Sequence, residues 1–361
     1  MTVEEALALV GRIDARYRRV WDALPPRQQA ALAMYFLPHR SRRDVLAPTR
    51  PRVIKWYCPF ADQRVFPSGH RYVINVYAGC GHGCVYCYAA AYEPQAPAPK
   101  ADFRRRLLKD LEELEEFDVP PAPVHLSNST DPFQPLEEHL GHTRFALEQI
   151  CAHRRRFSSV VILTRNPPGT ARHIDLLHRL AGLPADHPRA AEMRAGGMAP
   201  LVVEASVAFR RDEAAAFYDR CAPSIEQRVA GLRALRDAGI PIVLRIDPLF
   251  PPLDGADGLP QAQTAEDLRW LVNLAAELRV RHVVWSVAKI VQPRMRPVDS
   301  AVAALRRAFE RFAAPRRLVF RGGAWRLPPE AAAQVSAPFL EMCRSAGVKA
   351  LHCMRNLIET P

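Results

Sequence analysis

The sequence lacks any apolar run long enough to span a bilayer. Residues 1–20 are charged throughout and have no apolar core of the kind that a secretory signal peptide needs. Acidic residues are also in short supply, with 38 Asp and Glu against 50 Lys and Arg, which gives a formal net charge of +12. These absences argue against a membrane protein and against a secreted one, so we expect a cytoplasmic protein.

The excess of positive charge makes nucleic acid a candidate partner, because cationic side chains release condensed counterions when they contact phosphates. Most of the excess is arginine in a chain rich in Ala, Pro and Arg, a bias that a GC-rich coding sequence would also produce. Charge alone therefore leaves nucleic-acid binding and simple solubility both open. It says nothing of the oligomeric state.

Cysteine is sparse but concentrated at one point. Three of the eight cysteines stand within eight positions as Cys80-x-x-x-Cys84-x-x-Cys87, and no second Cys-x-x-Cys pair follows. Three thiolates can hold three irons of a [4Fe-4S] cubane and leave the fourth open to an external ligand, and interspersed glycines allow the sharp turns this requires. The alternatives are a zinc site completed by His82 or a distant cysteine, and plain buried thiols. We expect His82 to make a backbone contact.

This spacing, with Tyr86 just before the third cysteine, resembles the radical S-adenosylmethionine (SAM) superfamily, and residues 79–88 are similar to its spore photoproduct lyase-like branch. The resemblance implies a [4Fe-4S] cluster on Cys80, Cys84 and Cys87, with SAM bound to the open iron. One electron from the cluster would cleave the C–S bond of SAM to give a 5′-deoxyadenosyl radical. A flavodoxin- or ferredoxin-type partner would supply that electron.

From residue 72 onward, short apolar runs alternate with helical patterns, which is typical of a parallel sheet with crossover helices. Strands are predicted at 72–77, 123–126, 160–164, 201–207, 241–246 and 282–287, and helices at 101–117, 143–156, 170–180, 224–238, 264–278 and 299–313. We expect an α/β fold, a partial (βα)6 TIM-type barrel at 67–315. A helical and basic N-terminal extension (1–66) precedes it, and a mixed C-terminal extension (316–361) closes it, with a strand at 318–320 and a helix near 331–346.

Chemistry in such a barrel lies at the carboxyl ends of the strands. The cysteine loop follows the first predicted strand, a placement that the radical SAM resemblance also implies. The other strand ends carry polar side chains that can bind SAM, and with the tyrosine of the loop the predicted cofactor-binding set is Tyr86, Ser129, Thr130, Arg165, Glu204, Ser206 and Arg245. Two alternatives are an ordinary turn at 127–132 and a simple ion pair between Arg245 and Asp247.

The resemblance also implies particular roles. Tyr86 would contact the adenine, and Tyr86 and Tyr88 would belong to a radical relay. Thr130, Arg165 and Ser206 occupy positions that hold SAM in the family.

One position departs from the family pattern. Asn128 stands where the lyase has a cysteine that donates a hydrogen atom, and an amide cannot do this. Cys343 or Cys353 would have to supply a thiol instead, although core packing is the default for either. The substrate therefore stays open between nucleic acid, a peptide, a base and a small metabolite. The alternative function is a nucleic-acid-binding module whose cysteine loop is a structural metal site.

Overall fold

The computed structural model describes residue 22 and residues 52–57, 71–94, 96–116, 121–253, 255–291 and 298–353. The helices predicted near the N-terminus and Cys58 lie outside these described residues. None of the helices formed by the described residues combines the length and the apolar character that crossing a membrane requires.

The strands follow one another along the chain at short intervals. They are β1 (Ile54–Tyr57), β2 (Arg71–Ile74), β3 (Tyr77–Ala78), β4 (Ala98–Pro99), β5 (Ala122–Leu126), β6 (Phe157–Thr164), β7 (Leu201–Ser206), β8 (Ile242–Leu249), β9 (Val283–Val287), β10 (Lys289–Val291), β11 (Val319–Arg321), β12 (Ala324–Arg326) and β13 (Ala350–His352).

Helices connect most of these strands. They are α1 (Phe103–Glu116), α2 (Leu136–Leu140), α3 (His142–Ala152), α4 (Pro167–Ala171), α5 (Ile174–Ala181), α6 (Ala190–Ala195), α7 (Asp212–Tyr218), α8 (Ile225–Asp237), α9 (Ala265–Glu277), α10 (Ser300–Ala313) and α11 (Pro329–Ser345). Short 3-10 turns cover Tyr88–Ala91, Arg154–Arg156 and Ala256–Gly258.

The main sheet has eight strands in the order β1-β2-β5-β6-β7-β8-β9-β13. Every neighbouring pair from β2 to β13 is parallel, and β1 is antiparallel to β2. The six predicted barrel strands are confirmed as β2 and β5 to β9, and the predicted partial barrel is confirmed with them. The edge strands β1 and β13 were not predicted.

The two faces of this sheet differ in chemistry. One face packs against the helices through a continuous apolar core that includes Val124, Ile162 and Leu244. The other face is the inside of the partial barrel, where Val202 and Val243 belong to a small separate apolar cluster. Because successive side chains of a strand alternate between faces, the charged residues two positions further along β7 and β8 also point inside.

Local capping explains where several helices begin. The side chain of Ser224 accepts from the backbone of Gln227 at the start of α8, and Thr264 does the same with Asp267 at the start of α9. The helix predicted at 143–156 ends earlier, at Ala152, and a separate 3-10 turn follows. The helix predicted at 170–180 is two helices, α4 and α5.

The chain after the barrel forms more strand than was predicted. A tight turn at Gly322 and Gly323, both with positive φ (61° and 73°), joins β11 to β12. This hairpin pairs with β10 in a three-stranded sheet of order β10-β12-β11. Helix α11 then returns the chain so that β13 can add to the barrel sheet beside β9.

Candidate active site

The loop that follows β3 carries the three closely spaced cysteines, and its path depends on two glycines. Gly79 and Gly83 have φ values of +69° and +63°, a region that residues with a Cβ seldom adopt. A Cβ on Gly79 would also lie 2.8 Å from the carbonyl oxygen of Ala96. The loop therefore takes a course that glycine allows at these two points.

Hydrogen bonds fix this cysteine loop to the carboxyl ends of other barrel units. The backbone N–H of Gly81 donates to Oε1 of Gln134 at 2.7 Å. The N–H of Val85 donates to the carbonyl oxygen of the last residue of α7 at 2.9 Å. The predicted backbone contact of His82 is confirmed, since its Nδ1 lies 3.3 Å from the carbonyl oxygen of Cys221. These bonds tie the cysteine loop to the ends of other barrel units.

The chemistry of the donor set fits an iron–sulfur cluster. Cys80, Cys84 and Cys87 are all free thiols at partly exposed positions. Within the described ranges, no three His, Cys, Asp or Glu side chains are grouped as ligands of a single metal ion. A cubane instead offers a separate iron to each thiolate, so its ligands surround it and do not converge on one point.

Burial disfavours the thiolate forms of Cys80 and Cys84. Burial raises the pKa of the Cys80 thiol to about 12, and the charge of Asp131 acts in the same direction. Burial also raises the pKa of the Cys84 thiol well above its ordinary value, with Arg165 opposing this shift and Asp219 adding to it. Metal ligation requires thiolates, so loading the site would release protons.

Behind Cys84 lies a buried group of charged side chains, Arg165, Asp219 and Arg228, which we name the Asp219 cluster. Nη1 of Arg165 donates to Sγ of Cys84 at 3.1 Å and also contacts Oδ1 of Asp219. The hydroxyl of Tyr86 donates to the same Oδ1. Oδ2 of Asp219 accepts from Nη1 of Arg228 at 2.5 Å. Although burial would raise it, the two arginines hold the pKa of the Asp219 carboxyl below its usual range.

Asp131 joins the ends of the second and third barrel strands. Its Oδ1 accepts from the hydroxyl of Thr164 at 2.9 Å, and its Oδ2 accepts from the backbone N–H of Arg165 at 2.5 Å. Nε2 of His82 lies 3.2 Å from the same Oδ2. The structure thus brings together the two strand ends at which Thr130 and Arg165 were predicted, and Asp131 is the acceptor that connects them.

Asn75, at the end of β2, holds the polar turn after β5. Its Oδ1 accepts from the backbone N–H groups of Asn128 at 2.9 Å and Ser129 at 3.1 Å. Ser127 has a φ of +63°, and its Oγ lies 3.4 Å from Oγ1 of Thr130. The turn is therefore a local hydrogen-bonded structure, as the alternative interpretation held, and it also lies at the mouth of the barrel beside the cysteine loop.

A buried histidine orients the side chain of Asn128. Nη1 of Arg71 lies 2.6 Å from Nε2 of His125. Because a guanidinium only donates, Nε2 accepts and the ring proton sits on Nδ1. Burial, then the charges of Arg71 and Arg245, lower the pKa of His125 well below its ordinary value, although a hydrogen bond with the Asn128 side chain opposes this. A neutral His125 with its proton on Nδ1 is therefore a donor for the amide oxygen of Asn128.

The two tyrosines that flank the third cysteine occupy different environments. Tyr86 is buried and meets Phe250 edge to face, with ring centroids 5.5 Å apart. Tyr88 is 43% exposed, and its hydroxyl donates to the carbonyl oxygen of Asn128. Nζ of Lys289 lies 5.5 Å from the centroid of the Tyr88 ring. Tyr88 therefore links the cysteine loop to the turn after β5, and the relay role of both tyrosines stays a prediction.

Further inside the barrel, Arg245 pairs with two carboxylates. Its Nη1 lies 2.5 Å from Oε2 of Glu204, and its Nη2 lies 2.6 Å from Oδ2 of Asp247. The predicted pairing of Arg245 with Asp247 is thus confirmed and extends to Glu204. Nη2 also donates to Sγ of Cys353 at 3.3 Å, whereas Cys343 is buried in the apolar core under α11. Of the two distant thiols, Cys353 is the one that reaches the inside of the barrel.

The site also contains residues that were not predicted, among them Asn75, Asp219, Arg228 and Lys289. Asp219 directly follows a short helix, where an acidic residue ordinarily faces solvent, and its partner Arg165 is 54 residues away. Nothing local in the sequence signals this contact. Asn75 had a usable signal, since it is a polar residue inside an apolar run.

Comparison with known proteins finds similarity in structure only. No protein-family model and no curated protein sequence matches this chain. A cysteine-to-serine variant of spore photoproduct lyase superposes with a TM-score of 0.52 at 12% identity, over 90% of this chain and 84% of that one. Spore photoproduct lyase complexed with dinucleoside spore photoproduct gives a TM-score of 0.51 at 13% identity, with the same coverage.

These likenesses establish the fold. The chain is an α/β protein built on a partial (βα)6 barrel, with a three-cysteine loop at the carboxyl end of its first strand. More particularly, it shares the fold of spore photoproduct lyase. The fold that the resemblance of residues 79–88 implied is thereby confirmed.

Proposed function

We propose that this protein is a radical SAM enzyme that binds a [4Fe-4S] cluster through Cys80, Cys84 and Cys87. The observation that carries the proposal is a loop of three free thiols at the carboxyl end of a partial barrel, with Arg165 directed at one of the sulfurs. When bound, the cluster would supply the electron that cleaves SAM to a 5′-deoxyadenosyl radical. A flavodoxin- or ferredoxin-type protein is the proposed electron donor.

The chain's own residues would orient SAM beside the loop. Arg165 uses only Nη1 in its contacts with described residues, so its remaining N–H groups can pair with a carboxylate. Ser206 ends β7, and its hydroxyl has no hydrogen-bond partner among the described residues. We assign Arg165 to the SAM carboxylate and Ser206, with Ser129 and Thr130, to its other polar atoms. Tyr86 is the proposed adenine contact.

Glu204 and Arg245 have a different place in the proposal. Arg245 pairs with Glu204 at 2.5 Å and with Asp247 at 2.6 Å inside the barrel. One guanidinium shared by two carboxylates leaves a net charge of −1, and these side chains are held by one another. We therefore propose that this pair forms the polar wall of the cavity near SAM and fixes its shape.

The substrate class that the surface favours is nucleic acid. Lys289 on β10 stands opposite Arg326 on β12. Arg326 in turn stands opposite Val319 on β11, and Arg321 lies two residues after Val319 on the same strand. Since side chains alternate along a strand, these three cations share one face of the hairpin sheet. Lys289 contacts the ring of Tyr88 at the mouth of the barrel, which places this face beside the cysteine loop.

The same hairpin exposes an aromatic side chain. Phe320 is 49% exposed and packs on Trp325, with ring centroids 4.7 Å apart. Arg321 and Arg326 are exposed and make no ion pair within the described residues. Phe320 alternates with Arg321 along β11, so its ring lies on the opposite face of the hairpin sheet from the three cations, and it is the unpaired cations that suit a phosphate backbone.

Cofactor chemistry is tested on protein reconstituted anaerobically with iron and sulfide. The wild-type protein is expected to hold about four irons per chain and, with dithionite and SAM, to release 5′-deoxyadenosine. Cys84→Ala should abolish both, whereas Cys343→Ala, which removes a buried thiol far from the loop, should retain them. A protein without a [4Fe-4S] spectrum, or a Cys84→Ala variant as active as Cys343→Ala, would contradict the proposal.

Nucleic-acid binding is tested with single-stranded and duplex oligonucleotides titrated at several salt concentrations. The Arg321→Gln/Arg326→Gln double variant is expected to weaken binding and to reduce the slope of log K against log salt by about 1.4–1.8 in magnitude. A matched control is Arg172→Gln/Arg233→Gln, which alters two exposed arginines that already pair with Glu138 and Glu277. Equal effects in the two double variants would show that the hairpin is not a phosphate-binding surface.

A further inference from the structure

The Asp219 cluster places a guanidinium directly against a sulfur of the cysteine loop. Nη1 of Arg165 is 3.1 Å from Sγ of Cys84, within hydrogen-bonding range for sulfur. The same Nη1 is bound by Oδ1 of Asp219, and the side chains of Arg165 and Asp219 are 15% and 1% exposed. The contact is therefore removed from bulk water, where a single charge has its greatest effect.

The position of Arg165 is set by a chain of buried contacts. Asp219 binds Arg165 with one carboxylate oxygen and Arg228 with the other, at 2.5 Å. Nε of Arg228 donates to the carbonyl oxygen of Pro223 at 2.7 Å, which fixes that guanidinium to the start of α8. The residue before Asp219 accepts the backbone N–H of Val85, so the cluster and the cysteine loop are tied at a second point.

The charges of the Asp219 cluster do not cancel. Arg165 and Arg228 each carry +1 and Asp219 carries −1, which leaves a net charge of +1 behind the loop. Reduction of an iron–sulfur cluster adds one negative charge to it, and its potential depends on nearby charge and on hydrogen bonds to the sulfurs. A positive charge that donates to a ligand sulfur stabilises the reduced form more than the oxidised form.

We propose that Arg165 is a positioning and potential-setting residue, which hydrogen-bonds the Cys84 sulfur and raises the reduction potential of the cluster, and that Asp219 and Arg228 hold it there. The proposal rests on the proposed function, because it needs a cluster on the loop. It is independent of any contact between Arg165 and SAM, since its effect is present before SAM binds.

The test measures the cluster's midpoint potential without SAM, by following the electron paramagnetic resonance signal of the reduced form during a redox titration. Arg165→Gln is expected to lower the ratio of reduced to oxidised cluster at a fixed potential at least tenfold, which corresponds to about 59 mV for a one-electron couple. Arg165→Lys retains a charged donor, so its ratio of reduced to oxidised cluster should be close to that of the wild type.

Arg220→Gln is the matched control. Arg220 lies beside the same loop, with its Cδ 3.7 Å from the Cβ that Gly83 would carry, but its guanidinium pairs with Asp299 at 2.6 Å. It loses the same charge without losing a bond to sulfur, so its potential should stay near that of the wild type. An Arg165→Gln potential that is unchanged, or that moves no further than that of Arg220→Gln, overturns the proposal.

Arg228→Gln keeps the proposal testable if Arg165→Gln does not fold. This variant removes a positive charge that is separated from Cys84 by the Arg165 and Asp219 side chains. We therefore expect its midpoint potential to shift in the same direction as that of Arg165→Gln, but by less. A shift of the opposite sign overturns the assignment. Wild-type protein that takes up no cluster contradicts the proposed function itself, whereas a cluster whose potential ignores Arg165 contradicts the present inference alone.

Discussion

Asp219→Asn should be among the most damaging isosteric changes in this protein. The carboxylate is 1% exposed and binds Arg165, Arg228 and the hydroxyl of Tyr86. The amide keeps one acceptor oxygen but turns an NH2 group toward one of two arginines, of which Arg228 is also 1% exposed. Removing one partner of a buried ion pair costs about 3–5 kcal/mol, because the other charge is left without compensation. We expect a loss in that range.

The assay is urea unfolding of the metal-free, reduced protein, followed by circular dichroism. With a slope of about 3 kcal/mol/M, a loss of about 3–5 kcal/mol lowers the midpoint by about 1 M or more. Asp186→Asn is the control, because Asp186 pairs with Arg155 at 2.9 Å but both side chains are more than half exposed, and such pairs contribute about 0–1 kcal/mol. If Asp219→Asn loses no more than this control, the cluster does not act as a unit of buried charge.

Three further predictions concern packing, pH and the two tyrosines. A Cβ at Gly231 would lie 2.4 Å from a backbone nitrogen of α4, so Gly231→Ala should cost about 1–3 kcal/mol or more by thermal unfolding, whereas Gly182→Ala, with its nearest atom at 3.9 Å, should change little. Burial, together with the charge of a neighbouring lysine, lowers the pKa of Lys100 from 10.5 to about 8. Between these two pH values the folded state binds fewer protons than the unfolded state, so the free energy of unfolding should rise by about 3 kcal/mol from pH 8 to pH 10.5 relative to that of a Lys100→Met variant. Parallel pH profiles of the two proteins would contradict this. Tyr86→Phe should cost about 1–3 kcal/mol in urea unfolding because its hydroxyl is buried on a carboxylate, and Tyr88→Phe, at 43% exposure, less than about 1 kcal/mol; equal losses would show that burial of the hydroxyl is not decisive.

The barrel could be predicted because its signals are local and repeated. Strands such as β6 and β7 are apolar runs buried on both faces, and helices such as α8 and α9 open on Ser and Thr caps that the sequence displays. β13 has no such signal. Its three residues become a strand because Ala350 pairs with Val283, which lies far back in the chain. Pairing of that kind is decided by tertiary packing and leaves no periodic pattern.

The candidate site divides in the same way. The cysteine loop could be predicted because its three cysteines lie within eight positions of the sequence. Arg165 could be predicted because it is a cationic residue at the end of an apolar strand. Asp219 could not be found, since its role depends on three donors that come from separate barrel units. The orientation of Asn128 likewise depends on a tautomer of His125 that Arg71 selects. Such roles arise from the assembled fold and are not encoded in any short segment.

The three-stranded hairpin sheet at the mouth of the barrel is separate from the barrel sheet. Among the described strands, β12 pairs with β11 on one side and with β10 on the other, and none of the three pairs with the barrel sheet. The surface proposed to bind nucleic acid is therefore formed by a short segment, separate in sequence from the cysteine loop and from the barrel strands that support it. Substitutions on the exposed side chains of β11 and β12 break no strand pair of the barrel sheet. Under the proposed function, this surface can change in evolution while the cofactor-binding loop is kept.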